Sequence, residues 1–186
     1  MNIIFNSKYK IVIYGLLFVF LTSSFILSNF GLKKPLLIEA VEESKPLMLE
    51  WLSYNEAVTK AENENKYMMF FFYADGCGWC DKMEKEVYAD ENVKQILAEK
   101  YVSVKINASS NNKIQINSEE MTEKAFALKY QVTGYPTTWF FESKNIGIAP
   151  LPGYVSAEQF ISVLKYIGED WYKEITFQEY IEKDKG

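Results

Sequence analysis

Seven consecutive apolar or aromatic residues, Tyr67-Met68-Met69-Phe70-Phe71-Phe72-Tyr73, are followed after a short gap by Cys77-Gly78-Trp79-Cys80, and then by a charged stretch with helical spacing. A short run that is apolar on both faces predicts a central strand in a covered sheet. The two cysteines of the motif are the only two in the chain. A strand that delivers two thiols to a helix N-terminus makes a dithiol redox site. The helix dipole and its free N–H groups favour a thiolate there. The second thiol can resolve a mixed disulfide made by the first. A plain structural disulfide is the alternative, but it would close a tiny loop and constrain the chain little.

Composition narrows the chemistry. The 186 residues contain no His, and all 20 basic residues are Lys. Ser-His and Cys-His nucleophile pairs are therefore excluded. A structural zinc site wants four Cys or His ligands, and the chain offers two. Residues 31–186 carry 18 Lys against 25 acidic residues, a net charge of −7. Such a body repels nucleic acid, and no Arg fork is present to read phosphate or guanine. Hydrophobic residues make up 48% of the chain, enough for a packed core.

The N-terminus reads as a targeting segment. Ile11 to Phe30 is uncharged and mostly apolar, with Lys8 and Lys10 before it and Lys33 and Lys34 after it. That length can cross a bilayer, and the shorter block to Leu21 also suits a signal peptide. Residues 1–31 are thus expected to be a signal peptide or a membrane anchor, 32–50 a tether, and 51–186 the folded domain. Export would place the dithiol in an oxidising compartment.

Along the domain, Ser53 and Glu56 have capping-box spacing and open a helix running to Asn65. The strand from Lys66 to Tyr73 and a helix from Cys80 to about Tyr88 follow. Asp90 caps a further turn or two to Leu97. Tyr101 to Ile106 alternates and predicts a second strand, parallel to the first. Asn107 to Asn117 is polar and reads as a loop, and Ser118 is expected to cap a helix to Tyr130. Asn107-Ala108-Ser109 matches a glycosylation sequon, a pattern short enough to arise by chance. Strands are predicted at Thr138–Phe141 and Ile148–Leu151, the second an edge because of Pro150 and Pro152. Ser156 and Gln159 form another capping box before a helix to Ile167, and Thr176 begins a last short helix.

This order resembles the thioredoxin fold over roughly Trp51 to Ile167. The carrying segments are Phe72-Tyr73-Ala74-Asp75-Gly76-Cys77-Gly78-Trp79-Cys80-Asp81-Lys82-Met83, Gly134-Tyr135-Pro136-Thr137-Thr138 and Leu151-Pro152-Gly153-Tyr154. The chain is most similar to exported thioredoxin-like proteins, including the periplasmic thioredoxins associated with sulfur oxidation. The resemblance implies an α/β thioredoxin-like fold, with a mixed central sheet of about four strands flanked by helices. It implies that Cys77 attacks and Cys80 resolves. It implies that Pro136 is cis and lies against the disulfide, with Tyr135 presenting its backbone to an extended substrate. Trp79, between the thiols, is expected to touch substrate. No organic cofactor or metal is required.

Two positions depart from the family pattern. The buried carboxylate expected six residues before the first Cys is Phe71, which leaves the proton relay to Cys80 without its usual group. The usual Trp directly before that Cys is Gly76, while Trp79 replaces the common Pro inside the motif. The motif holds no His, and Asp75, Asp81 and Glu84 oppose a thiolate, so a reductant or isomerase is expected rather than a disulfide donor. The expected partners are client proteins with disulfides and a membrane thiol carrier that recharges the dithiol. The expected location is periplasmic or otherwise extracytoplasmic, free or tethered to the inner membrane. Two rival readings are a thioredoxin-fold binding or chaperone module with a vestigial dithiol, and a Cu(I) chaperone using the soft thiolates.

Overall fold

A computed structural model of the chain describes residues 47–184. The expected leader at 1–31, and most of the tether at 32–50, lie outside the described residues. No helix among the described residues is long and apolar enough to cross a membrane.

The elements are β1 (Trp51–Leu52), α1 (Tyr54–Glu64), β2 (Tyr67–Tyr73), α2 (Gly78–Glu86), α3 (Glu91–Lys100), β3 (Tyr101–Asn107), β4 (Lys113–Ile116), β5 (Glu119–Thr122), α4 (Glu123–Lys129), β6 (Thr137–Phe141), β7 (Gly147–Pro152), α5 (Ala157–Gly168) and α6 (Phe177–Asp184), with a 3-10 turn at Trp171–Lys173. The main sheet has the order β1-β3-β2-β6-β7. β2 runs parallel to β3 and antiparallel to β6. The sheet thus has one strand more than expected, the two-residue β1 beside β3.

β2 is central because it is apolar on both faces. Met68, Phe70 and Phe72 point to one side, and Met69 and Phe71 to the other, all fully buried. The first face packs against Tyr54, Ala57 and Ala61 of α1 and Phe126 of α4. The second packs against Cys80 and Met83 of α2, Leu97 of α3 and Phe160 and Leu164 of α5. Each buried phenylalanine contributes about 2–3 kcal/mol of apolar transfer free energy. The motif helix is therefore held against the strand that precedes it.

Helix starts follow their caps. Ser53 donates its N–H to Glu56 Oε2 at 3.1 Å, and Ser156 does the same to Gln159 Oε1. Asp90 Oδ1 accepts the N–H groups of Asn92 and Val93.

The region after β3 departs from expectation. Residues 113–122 form an antiparallel hairpin, β4–β5, where a loop and a Ser118-capped helix were expected. Ile114 and Met121, paired across it, pack on the core. The turn uses Asn117 at φ 55°, a left-handed conformation that Asn tolerates. α4 begins only at Glu123, capped by Thr122, whose hydroxyl accepts the Ala125 N–H at 3.1 Å.

Candidate functional site

The dithiol sits where β2 gives way to α2. Cys77 N–H donates to Ala74 O at 3.2 Å, closing a turn whose tip is Asp75-Gly76. Gly76 has φ +72°, a conformation that favours glycine. A Trp side chain would be strained in that conformation. α2 begins at Gly78, earlier than the expected Cys80, because Cys77 itself is the N-cap. Its sulfur accepts the Cys80 N–H at 3.1 Å.

Cys77 and Cys80 are joined as a disulfide, with Cα atoms 5.2 Å apart. Their exposures differ: Cys77 is half-buried, while Cys80 is 1% exposed and belongs to the core behind α2. The first sulfur can be approached by a protein, and the second only through the first.

Trp79 is 59% exposed and stands on the rim. Its ring lies 5.6 Å from that of Tyr154, in the loop after β7. The Lys82 ammonium lies 5.2 Å from the Trp79 ring centre and 4.8 Å from that of Tyr154. Tyr154 donates its hydroxyl proton to Glu86 Oε2 at 2.8 Å. This cluster ties α2 to the β7–α5 loop.

The Tyr135–Pro136 peptide is cis. Pro136 is buried, and its carbonyl accepts the Gly153 N–H at 2.7 Å. Tyr135 is 36% exposed, beside a groove of about 600 Å³ lined by Tyr130, Tyr135, Trp139, Pro150 and Pro152.

Behind the motif, Phe71 is fully buried, with its ring 4.9 Å from Tyr88 and 6.0 Å from Trp51. Aromatic packing fills the place of the expected carboxylate. The nearby polar pair is Tyr88 and Thr138, whose hydroxyls are 3.0 Å apart and buried. Burial holds the Tyr88 hydroxyl far above its ordinary range, so it stays neutral. Glu84, one helical turn beyond Cys80, accepts from Lys105 Nζ at 2.7 Å. Lys105 is the β3 partner of Phe71 and also lies 4.5 Å from the Tyr73 ring centre.

Sequence reasoning missed two sets of rim residues. Tyr154 and Lys82 complete the aromatic cluster with Trp79. Asn107 and Ser109 bind Asp75 from the end of β3. For the second set the sequon marked the place but gave no hint of the role.

The profile described as a thioredoxin-like domain matches residues 54–168. The chain belongs to this thioredoxin-like family. Among relatives, it is similar to the disulfide bond reductase DsbH of Chlamydia pneumoniae, 27% identical over 138 residues, covering 68% of this chain and 81% of that protein. It is also similar to the thiol:disulfide interchange protein DsbD of Photorhabdus laumondii, 29% identical over 119 residues, spanning 63% of this chain but 19% of DsbD. Two solved structures share the fold. A thioredoxin-fold protein from Helicobacter pylori has a TM-score of 0.60 at 22% identity, covering 74% of this chain and 91% of that one. A DsbH oxidoreductase has a TM-score of 0.55 at 21% identity, covering 69% and 92%. With its paired cysteines, this thioredoxin-like chain is a thiol–disulfide oxidoreductase.

Proposed function

We propose that the protein is an exported reductant of protein disulfides, with Cys77 as the attacking thiol and Cys80 as the resolving one. One observation carries the reading: a half-buried cysteine at the start of a helix is disulfide-bonded to a cysteine that is 1% exposed. Cys77 thiolate attacks one sulfur of a client disulfide, forming a mixed disulfide and releasing a client thiolate. Cys80, deprotonated, then attacks the Cys77 sulfur. The Cys77–Cys80 bond forms, and the second client sulfur leaves. The client gains two electrons and two protons. Trp79 and Tyr135 contact the client chain, with Pro136 acting through the cis peptide that presents the Tyr135 backbone. No organic cofactor or metal enters the cycle.

The direction of electron flow rests on the motif. It holds no His to stabilise a thiolate, and acidic Asp81 lies in the first turn of α2. About 30 mV corresponds to ~1.4 kcal/mol, so the loss of one charge-assisted hydrogen bond to the thiolate lowers the potential measurably. The similarity to a protein named disulfide bond reductase supports the same direction. An exported reductant must be recharged, and a membrane thiol carrier is the fitting donor. The apolar stretch Ile11 to Phe30 supports export, as a cleaved signal or a retained anchor.

The test is covalent trapping with Cys80→Ser. Client proteins stay attached to Cys77 and are released by dithiothreitol. If none is trapped, and wild type reduces no insulin, the reductase reading fails. Phe71 favours one rival, a binding module whose dithiol does not turn over, because the family's carboxylate position is apolar here. That rival predicts client binding without insulin reduction.

A further inference from the structure

The turn that presents Cys77 is fastened from outside the motif. Asn107, the last residue of β3, pairs with Tyr73 in the parallel register. Its side-chain amide donates to Asp75 Oδ1 at 2.8 Å. Asp75 N–H donates to Ser109 Oγ at 3.2 Å, and Ser109 N–H donates to Asn107 Oδ1 at 3.0 Å. Ala108 N–H donates to Tyr73 O at 2.8 Å. The other end of the clamp is anchored too, since Asn107 N–H donates to Glu123 Oε1 at 3.0 Å, in the first turn of α4. Both polar side chains of the Asn107-Ala108-Ser109 tripeptide are thus spent on the active-site turn.

Asp75 sits two residues before Cys77, at the tip of the turn closed by the Cys77 N–H. A carboxylate there has two places to go. One is the Asn107 amide on the β3 side, where it is found. The other is the N-terminus of α2, where free N–H groups and the helix dipole attract negative charge. In the second place it would compete with the Cys77 thiolate for the same stabilisation.

We propose that Asn107 is a positioning residue of the dithiol, holding the Asp75 carboxylate on the β3 side of the turn and so keeping its charge away from Cys77. The inference deepens the reading of Cys77 as the attacking thiol, which it assumes. The other titratable groups on the surrounding elements are Tyr73 on β2, the Cys80 thiol with Asp81, Lys82, Glu84, Lys85 and Glu86 on α2, Lys105 on β3, Glu123, Lys124 and Lys129 on α4, and Tyr135 and Tyr154 in the loops before β6 and after β7. The substitutions below leave all of them in place.

The experiment is a double-mutant cycle on the reduced full chain, read as the pH at which half of Cys77 is thiolate by ultraviolet absorbance. Asn107→Ala releases Asp75, and the midpoint rises by about half a pH unit, with attack near neutral pH slowed roughly threefold. In an Asp75→Asn background the same Asn107→Ala change leaves the midpoint unmoved. No rise in Asn107→Ala, or an equal rise in the Asp75→Asn background, overturns the proposal. Asp75→Ala approaches the pair from the other side and does not depend on Asn107→Ala folding; here the midpoint falls or stays, and a rise contradicts the proposal. Insulin reduction by wild type is measured alongside. Its absence sinks the reductase reading, while the coupling between Asn107 and Asp75 remains readable from the midpoints.

Discussion

Cys77 caps the helix that carries Cys80: its sulfur accepts the Cys80 N–H at 3.1 Å while the two residues share a disulfide. One cysteine therefore ends the loop and starts the helix. A thiolate formed at Cys77 would stand at the positive end of α2, close to N–H groups that have no partner within the helix. Cys80, in the first turn and facing the core, has no such access to solvent.

Trp79 is expected to act on clients rather than on the chemistry of the sulfur atoms. Its exposed ring, braced by Tyr154 and Lys82, offers a rigid aromatic contact. Trp79→Ala should raise the KM for a protein disulfide by about tenfold, a typical effect for an interface aromatic. The equilibrium constant with glutathione should change much less. Steady-state kinetics and a glutathione titration on the same variant check this. A change in the equilibrium constant with no change in KM would contradict it.

Phe71 is expected to be a packing residue. Phe71→Ala should lower stability by about 3–5 kcal/mol, as buried Phe→Ala changes do. Phe71→Leu should fold and keep its turnover within the same order of magnitude. Urea unfolding and insulin reduction measure the two parts. Loss of turnover in a well-folded Phe71→Leu would give the ring a role in the reaction.

Alkaline pH should unfold the protein through its buried tyrosines. Burial holds the hydroxyls of Tyr88 and Tyr101 well above the ordinary value of 10.0. Burial and the Glu142 carboxylate push Tyr172 up to about 12. In the unfolded chain these groups lose protons near pH 10, while the folded state keeps them. Their contribution is complete below pH 10 and is lost as pH rises toward the folded-state values. For a fully buried tyrosine the slope is ~1.4 kcal/mol per pH unit. Tyr88→Phe removes the bond to Thr138 at a cost of about 1 kcal/mol near neutral pH, yet it should flatten the alkaline slope. Denaturant unfolding at a series of pH values above 9 tests this. An unchanged slope in Tyr88→Phe would show that other groups drive the alkaline transition.

Much of the architecture was legible because strong local signals agree with tertiary packing. The run from Tyr67 to Tyr73 had to be covered on both faces, and Ser53, Asp90 and Ser156 marked helix starts through their own hydrogen bonds. The β4–β5 hairpin was hidden. Lys113-Ile114-Gln115-Ile116 alternates, but it is short and lies in an Asn-rich stretch. Ser118-Glu119-Glu120 also imitates a helix start. The hairpin buries Ile116 in the core and packs half-buried Ile114 and Met121 against it, a long-range effect that no local window holds. The candidate site divides in the same way. The motif cysteines, Trp79 and the Tyr135-Pro136 pair stand out in sequence. Asn107, Ser109, Lys82 and Tyr154 reach the rim only because β3 ends beside β2 and β7 turns back over α2.

The central claim is that the two sulfur atoms divide the work by exposure. The most direct test reduces the protein and follows alkylation of each cysteine by iodoacetamide with mass spectrometry. Cys77 should react at least about tenfold faster than Cys80, as expected for a half-buried thiol at a helix N-terminus against one sealed in the core. Equal rates, or faster modification of Cys80, would contradict the account.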